Sequence, residues 1–217
     1  MSFVGVLLLQ TRFPRPPGDI GNPQTFSGLG IPVRYRVVSG ASPQRVLRDD
    51  DLSLLPDFID AARQLVAEGA ALLSTSCGFL VQCQEPLQRS VPVPMLSSAL
   101  LWLARLGPDS AVLTIDADAL GPRHLAAAGA APDTPVVGVA TGCEFQRRIL
   151  GDQPQLDLLQ AQRDVVQGAM QLLARHPRVR SIVLECSNMV PYAPAVAAAT
   201  GCRVEHIISL IGTTWKH

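Results

Sequence analysis

Short apolar runs rich in Val, Ile and Leu recur along the chain between Gly, Pro and Asp punctuation. They cover Val4 to Leu9, Val33 to Val38, Ala71 to Ser74, Val93 to Leu96, Ala111 to Ile115, Val136 to Ala140, Ser181 to Leu184 and Val204 to Leu210. Most are near-continuous rather than alternating, the pattern of strands covered on both faces. Helical patterns lie between them. From Asp157 to Arg175, Leu158, Val165, Val166, Ala169, Leu172 and Leu173 form one stripe of an amphipathic helix. From Asp57 to Glu68, Phe58, Ala61, Ala62, Leu65 and Val66 form another, with Asp57 expected as its N-cap and Gly69 as its stop. Strands alternating with helices predict an α/β fold with a parallel sheet, in which ligands bind beyond the carboxyl ends of the strands.

Composition narrows the function classes. Among 217 residues, 47% are hydrophobic and 18 Lys and Arg balance 18 Asp and Glu, so there is no basic surface for nucleic acid and no acidic tail. A chain of this length buries roughly 70% of its unfolded surface and needs no disulfide or metal to hold a core. The opening MSFVGVLLLQTR has no basic residue ahead of its apolar run and reads as a first strand rather than a secretory signal. The stretch from Ser90 to Ala104 contains Pro92 and Pro94 and falls short of the roughly 20 residues of a membrane span. A soluble protein is expected. Neither G-x-G-x-x-G nor a P-loop occurs, so nothing supports a nucleotide cofactor.

Five cysteines, at 77, 83, 143, 186 and 202, make no CxxC pair and no zinc-spaced cluster. A reducing cytoplasm is the expected location. Two of them stand out by position. Cys77 in "LLSTSCGFL" and Cys186 in "IVLECSNMVPY" each directly follow an apolar run. "GVLLLQT" from Gly5 also resembles "AVLTIDA" from Ala111, which suggests two similar lobes facing one cleft. Such an echo is short enough for composition alone to produce it, so duplication and coincidence both stand on this evidence.

A thiol where a strand has just ended meets the free backbone N-H groups of the next turn, which lower its pKa from about 8.5 and make it partly thiolate. Cysteine is also a common core filler, but core packing gives no reason for a pair at equivalent strand ends. Two thiols across a cleft can remove a proton from one face of a carbon and return one to the other, each acting as base or acid in turn. Cys83 and Cys202 read as packing residues, and Cys143 as a lesser candidate for lining the cleft.

These residues resemble the aspartate/glutamate/hydantoin racemase superfamily. The resemblance rests on "VGVLLLQT", "GNPQTF", "STSCGFL", "AVLTIDADALGPRHLAAAG", "LECSNM" and the spacing between the two cysteines. It implies two pseudo-symmetric α/β lobes, residues 1–97 with 205–217 and residues 98–204, with the active site between them. It implies Cys77 and Cys186 as paired acid/base residues, and no metal or organic cofactor. Asn22 and Thr25 would lie near a substrate carboxylate or amide, as would a cleft-facing Thr114. Ser76, Gly78 and Phe79 around the first cysteine, and Ser187 and Asn188 after the second, would supply donors and walls.

The chain departs from the family pattern at the residues after each cysteine. Gly78 and Phe79 stand where amino-acid racemases have Asn then Thr or Ser, and Ser187 and Asn188 where glutamate racemases have Thr and His. Retention of both cysteines argues against the malonate decarboxylase branch. The expected activity is a cofactor-independent racemase or epimerase acting on the carbon alpha to a carboxylate or carbonyl of a small molecule. A cis-trans isomerase or lyase with a cysteine nucleophile is the alternative, and a non-catalytic small-molecule sensor the next. A homodimer is left open.

Other polar residues read as structural. Asp116 and Asp118 suit turn capping better than a metal, His124 suits a surface or capping place, and Arg147 and Arg148 suit a solvated helix face. Tyr192 and Met189 read as wall and packing residues. Glu185 is expected on the strand face opposite Cys186, where its charge would raise a neighbouring thiol's pKa.

Overall fold

The computed structural model describes residues 2–48 and 52–215. The first half contains β1 (Phe3–Leu9), α1 (Pro23–Ser27), β2 (Val33–Val38), α2 (Leu55–Ala67), β3 (Ala70–Thr75), α3 (Gln84–Ser90) and β4 (Met95–Leu96). The second contains β5 (Ser110–Thr114), α4 (Pro122–Ala127), β6 (Val136–Gly138), α5 (Glu144–Leu150), α6 (Leu158–Arg175), β7 (Ser181–Leu184), α7 (Ala193–Thr200), β8 (Arg203–Glu205) and α8 (Ile207–Thr214).

The strands form two four-stranded sheets of the same topology, β2-β1-β3-β4 and β6-β5-β7-β8. Every pairing in them is parallel. The sequence echo therefore maps onto structure: Gly5 to Leu9 lies in the inner strand β1, Ala111 to Thr114 in its counterpart β5, and the two cysteines follow β3 and β7. The inner strands are almost wholly buried, which is why they read as continuous apolar runs. The α2 stripe of Phe58, Ala61, Ala62 and Leu65 and the α6 stripe of Ala161, Val165, Ala169 and Leu172 cover them.

Three sequence expectations change. Helix α2 starts at Leu55, with Pro56 in its first turn and Asp57 inside the helix rather than at the cap; proline fits a first turn because its missing N-H has no helical partner there. Gly69 does end the segment, at φ +102. Strand β4 is only Met95–Leu96, since Pro94 has no N-H for the ladder and contributes only its carbonyl, to Leu73 N at 2.9 Å. The run from Val204 to Leu210 is strand only to Glu205 and then becomes α8. There the His206 imidazole accepts from Ser209 N at 3.1 Å while Ser209 Oγ accepts from His206 N at 3.0 Å. This reciprocal cap starts a helix whose Ile207, Ile208, Leu210 and Ile211 share one buried face. Helix α8 packs on β4 and on the helical turns 99–105 and 187–192. No helix among the described residues is long and apolar enough to cross a membrane.

Candidate functional site

Both cysteines occupy the same local frame. Each has extended backbone and caps a tight helical turn, Gly78–Cys83 after β3 and Ser187–Tyr192 after β7. Each turn runs on into a helix, α3 or α7. A side chain at such a cap lies beside N-H groups that have no helical acceptor. For Cys77 these are the N-H groups of Phe79 and Leu80, and for Cys186 that of Asn188.

The two strand ends are fastened to each other. Ser187 Oγ donates to the Ser76 carbonyl at 2.7 Å, while Ser76 Oγ accepts from Leu9 N at 3.0 Å. Gly78 lies so close to Glu185 that a Cβ built on it would stand 2.4 Å from the Glu185 carbonyl oxygen. Cys77 and Cys186 consequently line one buried cavity together with Phe13, Arg15, Phe79 and Glu185. Both thiols are buried, and the space they face is about 20 Å³, room for about one water molecule. Leu47, which lines this cavity too, borders a second and more polar cavity of about 750 Å³ lined by Asp116, Asp118, Arg123 and His124.

A charged network reaches the pocket from the loop after β1. Arg15 Nη1 donates to Asp19 Oδ1 at 2.9 Å and Nη2 to Thr11 Oγ1 at 3.1 Å. Asn188 Nδ2 donates to Asp19 Oδ2 at 2.6 Å, and Cys186 Sγ donates to Asn188 Oδ1 at 3.5 Å. Asp19 is fully buried and its charge is met by Arg15, the condition under which a buried carboxylate is tolerated.

Glu185 departs from its expected place. Strand β7 ends at Leu184, so the alternation of faces no longer applies and the carboxyl turns into the cysteine pocket. There Oε2 accepts from Thr114 Oγ1 at 2.8 Å. Burial raises its pKa to about 7, opposed by the Thr114 hydroxyl and the Ile115 N-H. Burial likewise pushes the Cys77 thiol up to about 12 and the Cys186 thiol well above its ordinary value, with Glu185 adding to both. The expected lowering by turn N-H groups is present, but desolvation outweighs it in the closed pocket.

Ser76, Gly78, Phe79 and Asn188 line the pocket with the cysteines, and Ser187 ties it shut. Asn22, Thr25 and Thr114 lie elsewhere. Asn22 caps α1 and donates to the Arg15 carbonyl at 2.8 Å, and Thr25 Oγ1 donates to the Asp19 carbonyl at 2.7 Å. Both brace the loop that carries Arg15 and Asp19. Thr114 is fully buried beneath Glu185. Arg15 and Asp19 escaped the sequence reading because they sit in a proline-rich loop without periodicity, and Asn188, the partner of Asp19, is 169 positions away.

The other polar residues singled out in the sequence make local structural contacts. Asp116 Oδ1 accepts from the N-H groups of Asp118 and Ala119, which is turn capping. His124 is buried rather than on the surface, accepting from Gly121 N through Nδ1 at 3.2 Å and standing edge-on to Phe79. Cys143 caps α5. Among the described residues no cluster of three or more His, Cys, Asp or Glu could hold a metal ion.

No family model matches the chain. It is 32% identical over 216 residues to dimethylsulfoniopropionate lyase of Durusdinium sp. clade D, covering 93% of this chain and 70% of that protein. It is 28% identical to dimethylsulfoniopropionate lyase 7 of Emiliania huxleyi, covering 91% of this chain and 61% of the relative. Among solved structures, a double mutant of arylmalonate decarboxylase superposes with a TM-score of 0.64 at 18% identity, covering 94% of this chain and 86% of that one. Allantoin racemase of Pseudomonas fluorescens gives 0.55 at 15% identity, covering 97% and 88%. The chain therefore belongs to the family of the Durusdinium dimethylsulfoniopropionate lyase, and it shares the fold of arylmalonate decarboxylase and allantoin racemase.

Proposed function

We propose that the protein is a lyase that removes the proton alpha to a carboxylate and expels a leaving group from the beta carbon, with dimethylsulfoniopropionate as its substrate class. The observation that carries this reading is the placement of Cys77 and Cys186 at equivalent strand ends on one buried cavity. One thiolate takes the alpha proton. The C-H electron pair becomes the carbon-carbon double bond, the beta carbon-sulfur bond breaks, and dimethyl sulfide leaves with that bond's pair, giving acrylate. The pocket of about 20 Å³ must open to admit this substrate, and Arg15, held by Asp19 and Thr11 in the closed form, is the cation among its lining residues that would then meet the substrate carboxylate. Phe79 also lines the pocket and is the aromatic ring that would meet a sulfonium cation, since the Arg15 guanidinium already stands over the Phe13 ring at 4.8 Å. Relatives bearing the lyase name share 32% and 28% identity over nine-tenths of this chain, which favours elimination over racemisation.

Racemisation is the second reading, favoured by the matched frames of the two thiols. It shares the first step and differs only in the fate of the carbanion, which the opposite thiol would reprotonate. Incubating the protein with dimethylsulfoniopropionate in heavy water separates them. Release of dimethyl sulfide, reduced at least about a hundredfold in Cys77→Ser or Cys186→Ser, is the expected result. Alpha-proton exchange without sulfide release would show a carbanion that is not followed by elimination, and inversion of a chiral alpha-substituted acid by the same protein would then replace the lyase by the racemase. Unimpaired turnover in both variants would remove the thiols from the mechanism.

A further inference from the structure

Proton transfer by the thiols leaves one ionisable group of the pocket without a task. Glu185 precedes Cys186 in the chain and faces the residue that follows Cys77. A Cβ at Gly78 would stand 2.2 Å from Glu185 Oε1, so the carboxyl fills the space that a side chain at 78 would take. The Thr114 hydroxyl fixes Oε2 from below.

The groups around it leave the thiols as its exchange partners. Strand β5 presents the neutral Thr114 and Ile115, and α5 presents Ile149 and Leu150. The segment before α2 presents Pro43 and Leu47. The loop after β1 brings Arg15 and Asp19, which neutralise each other at 2.9 Å. Cys77 and Cys186 complete the surroundings.

We propose that Glu185, Cys77 and Cys186 titrate as one unit carrying a single negative charge, which rests on Glu185 in the empty pocket and passes to a thiol for catalysis. The transfer moves one proton from a Cys Sγ to a Glu185 carboxylate oxygen and leaves a thiolate; it runs uphill in the empty pocket, where the Cys77 thiol titrates far above the carboxyl, and so takes place only with substrate bound. In the elimination proposed above, on which this last step rests, the thiolate then takes the alpha proton and becomes a thiol again. The proton released by the overall reaction is the one on Glu185, which passes to water. Glu185 is thus a positioning residue acting through the thiols. While it is charged, both thiols stay protonated and inert.

This resting state has a signature that needs no substrate. With the carboxyl titrating near 7, its charge is absent at about pH 5.5 and nearly complete at about pH 8. Coupling of more than one pK unit between groups sharing a site then holds the thiols back only at the higher pH. Alkylation by iodoacetamide, followed cysteine by cysteine with peptide mass spectrometry, compares wild type with Glu185→Gln. Cys143 and Cys202, outside the pocket, serve as references. The expected ratio of variant to wild-type rate at Cys77 and Cys186 is near one at about pH 5.5 and roughly five- to tenfold at about pH 8.

A ratio independent of pH would overturn the proposal, because a purely structural role for Glu185 changes access equally at every pH. If Glu185→Gln does not fold, Thr114→Val decides. It keeps the carboxyl but withdraws a donor that holds its pKa down, so protection of the thiols should set in at higher pH than in wild type, and an unmoved onset would overturn the proposal. Loss of the lyase reading leaves this result standing, and a flat ratio in a protein that still releases dimethyl sulfide sinks only the shared charge.

Discussion

Replacing Gly78 by alanine tests whether the two lobes meet as closely at the cysteines as the structure implies. The new Cβ would stand 2.2 Å from Glu185 Oε1, 2.9 Å from its Cδ and 2.4 Å from its carbonyl oxygen. Real Cβ contacts essentially never fall below 3.0 Å. The carboxyl could swing aside at the expense of its bond from Thr114. The carbonyl oxygen is backbone and must retreat by about 0.6 Å (3.0 minus 2.4), which parts the turn after β3 from the end of β7. Overpacking of this kind costs about 1–3 kcal/mol, or roughly 2–12 °C in Tm for a chain of this size. Calorimetry on Gly78→Ala, with Gly28→Ala as control, measures it. Gly28 has ordinary helical φ and nothing within 4 Å of a built Cβ, so its substitution should be neutral or slightly stabilising. A Gly78→Ala protein with wild-type Tm and wild-type turnover would refute the close contact and the placement of Glu185.

Other consequences follow from the buried charges. Asp19→Ala strands Arg15 and Asn188, whose side chains it bonds, and should cost about 3–5 kcal/mol in urea unfolding; a loss below about 1 kcal/mol, the scale of an exposed pair, would place the network in solvent. Burial lowers the His206 pKa from 6.5 to about 4, against the opposing pull of Glu205. The unfolded state therefore binds this proton first, and stability is lost as pH falls from about 6.5 toward about 4. The 2.5-unit difference corresponds to about 3 kcal/mol. His206→Asn, which keeps a capping acceptor for Ser209, should show a shallower fall of unfolding free energy over that range, and equal slopes in the two proteins would contradict it.

Much of the scaffold was legible because its determinants are local. Buried parallel strands demand continuous apolar runs, and β1, β5 and β7 stand within a residue of where those runs fall. The end of β8 differs from the expectation because Val204 to Leu210 is apolar enough for a strand, while the cap that makes Ile207 onward helical depends on two reciprocal bonds between His206 and Ser209. The cysteines were legible from their places after apolar runs. Their acidity was not, since free turn N-H groups follow from sequence whereas the depth of burial follows from how two lobes close. Glu185 was assigned the wrong direction by extending the period of two past Leu184, where the backbone leaves the strand. Arg15 and Asp19 depend on Asn188 from the other half of the chain, and no local pattern announces that contact.

Two sheets of identical order give the two cysteines equivalent places in matching backbone frames. Such a frame has no preferred direction of its own: on the function proposed above, equal neighbours would leave either thiol equally fit to be the base. What breaks the equivalence is a handful of side chains, Ser76 against Glu185 before each cysteine and Gly78 and Phe79 against Ser187 and Asn188 after it. On the function proposed above, the choice of which thiol serves as base therefore rests with these few side chains and not with the fold.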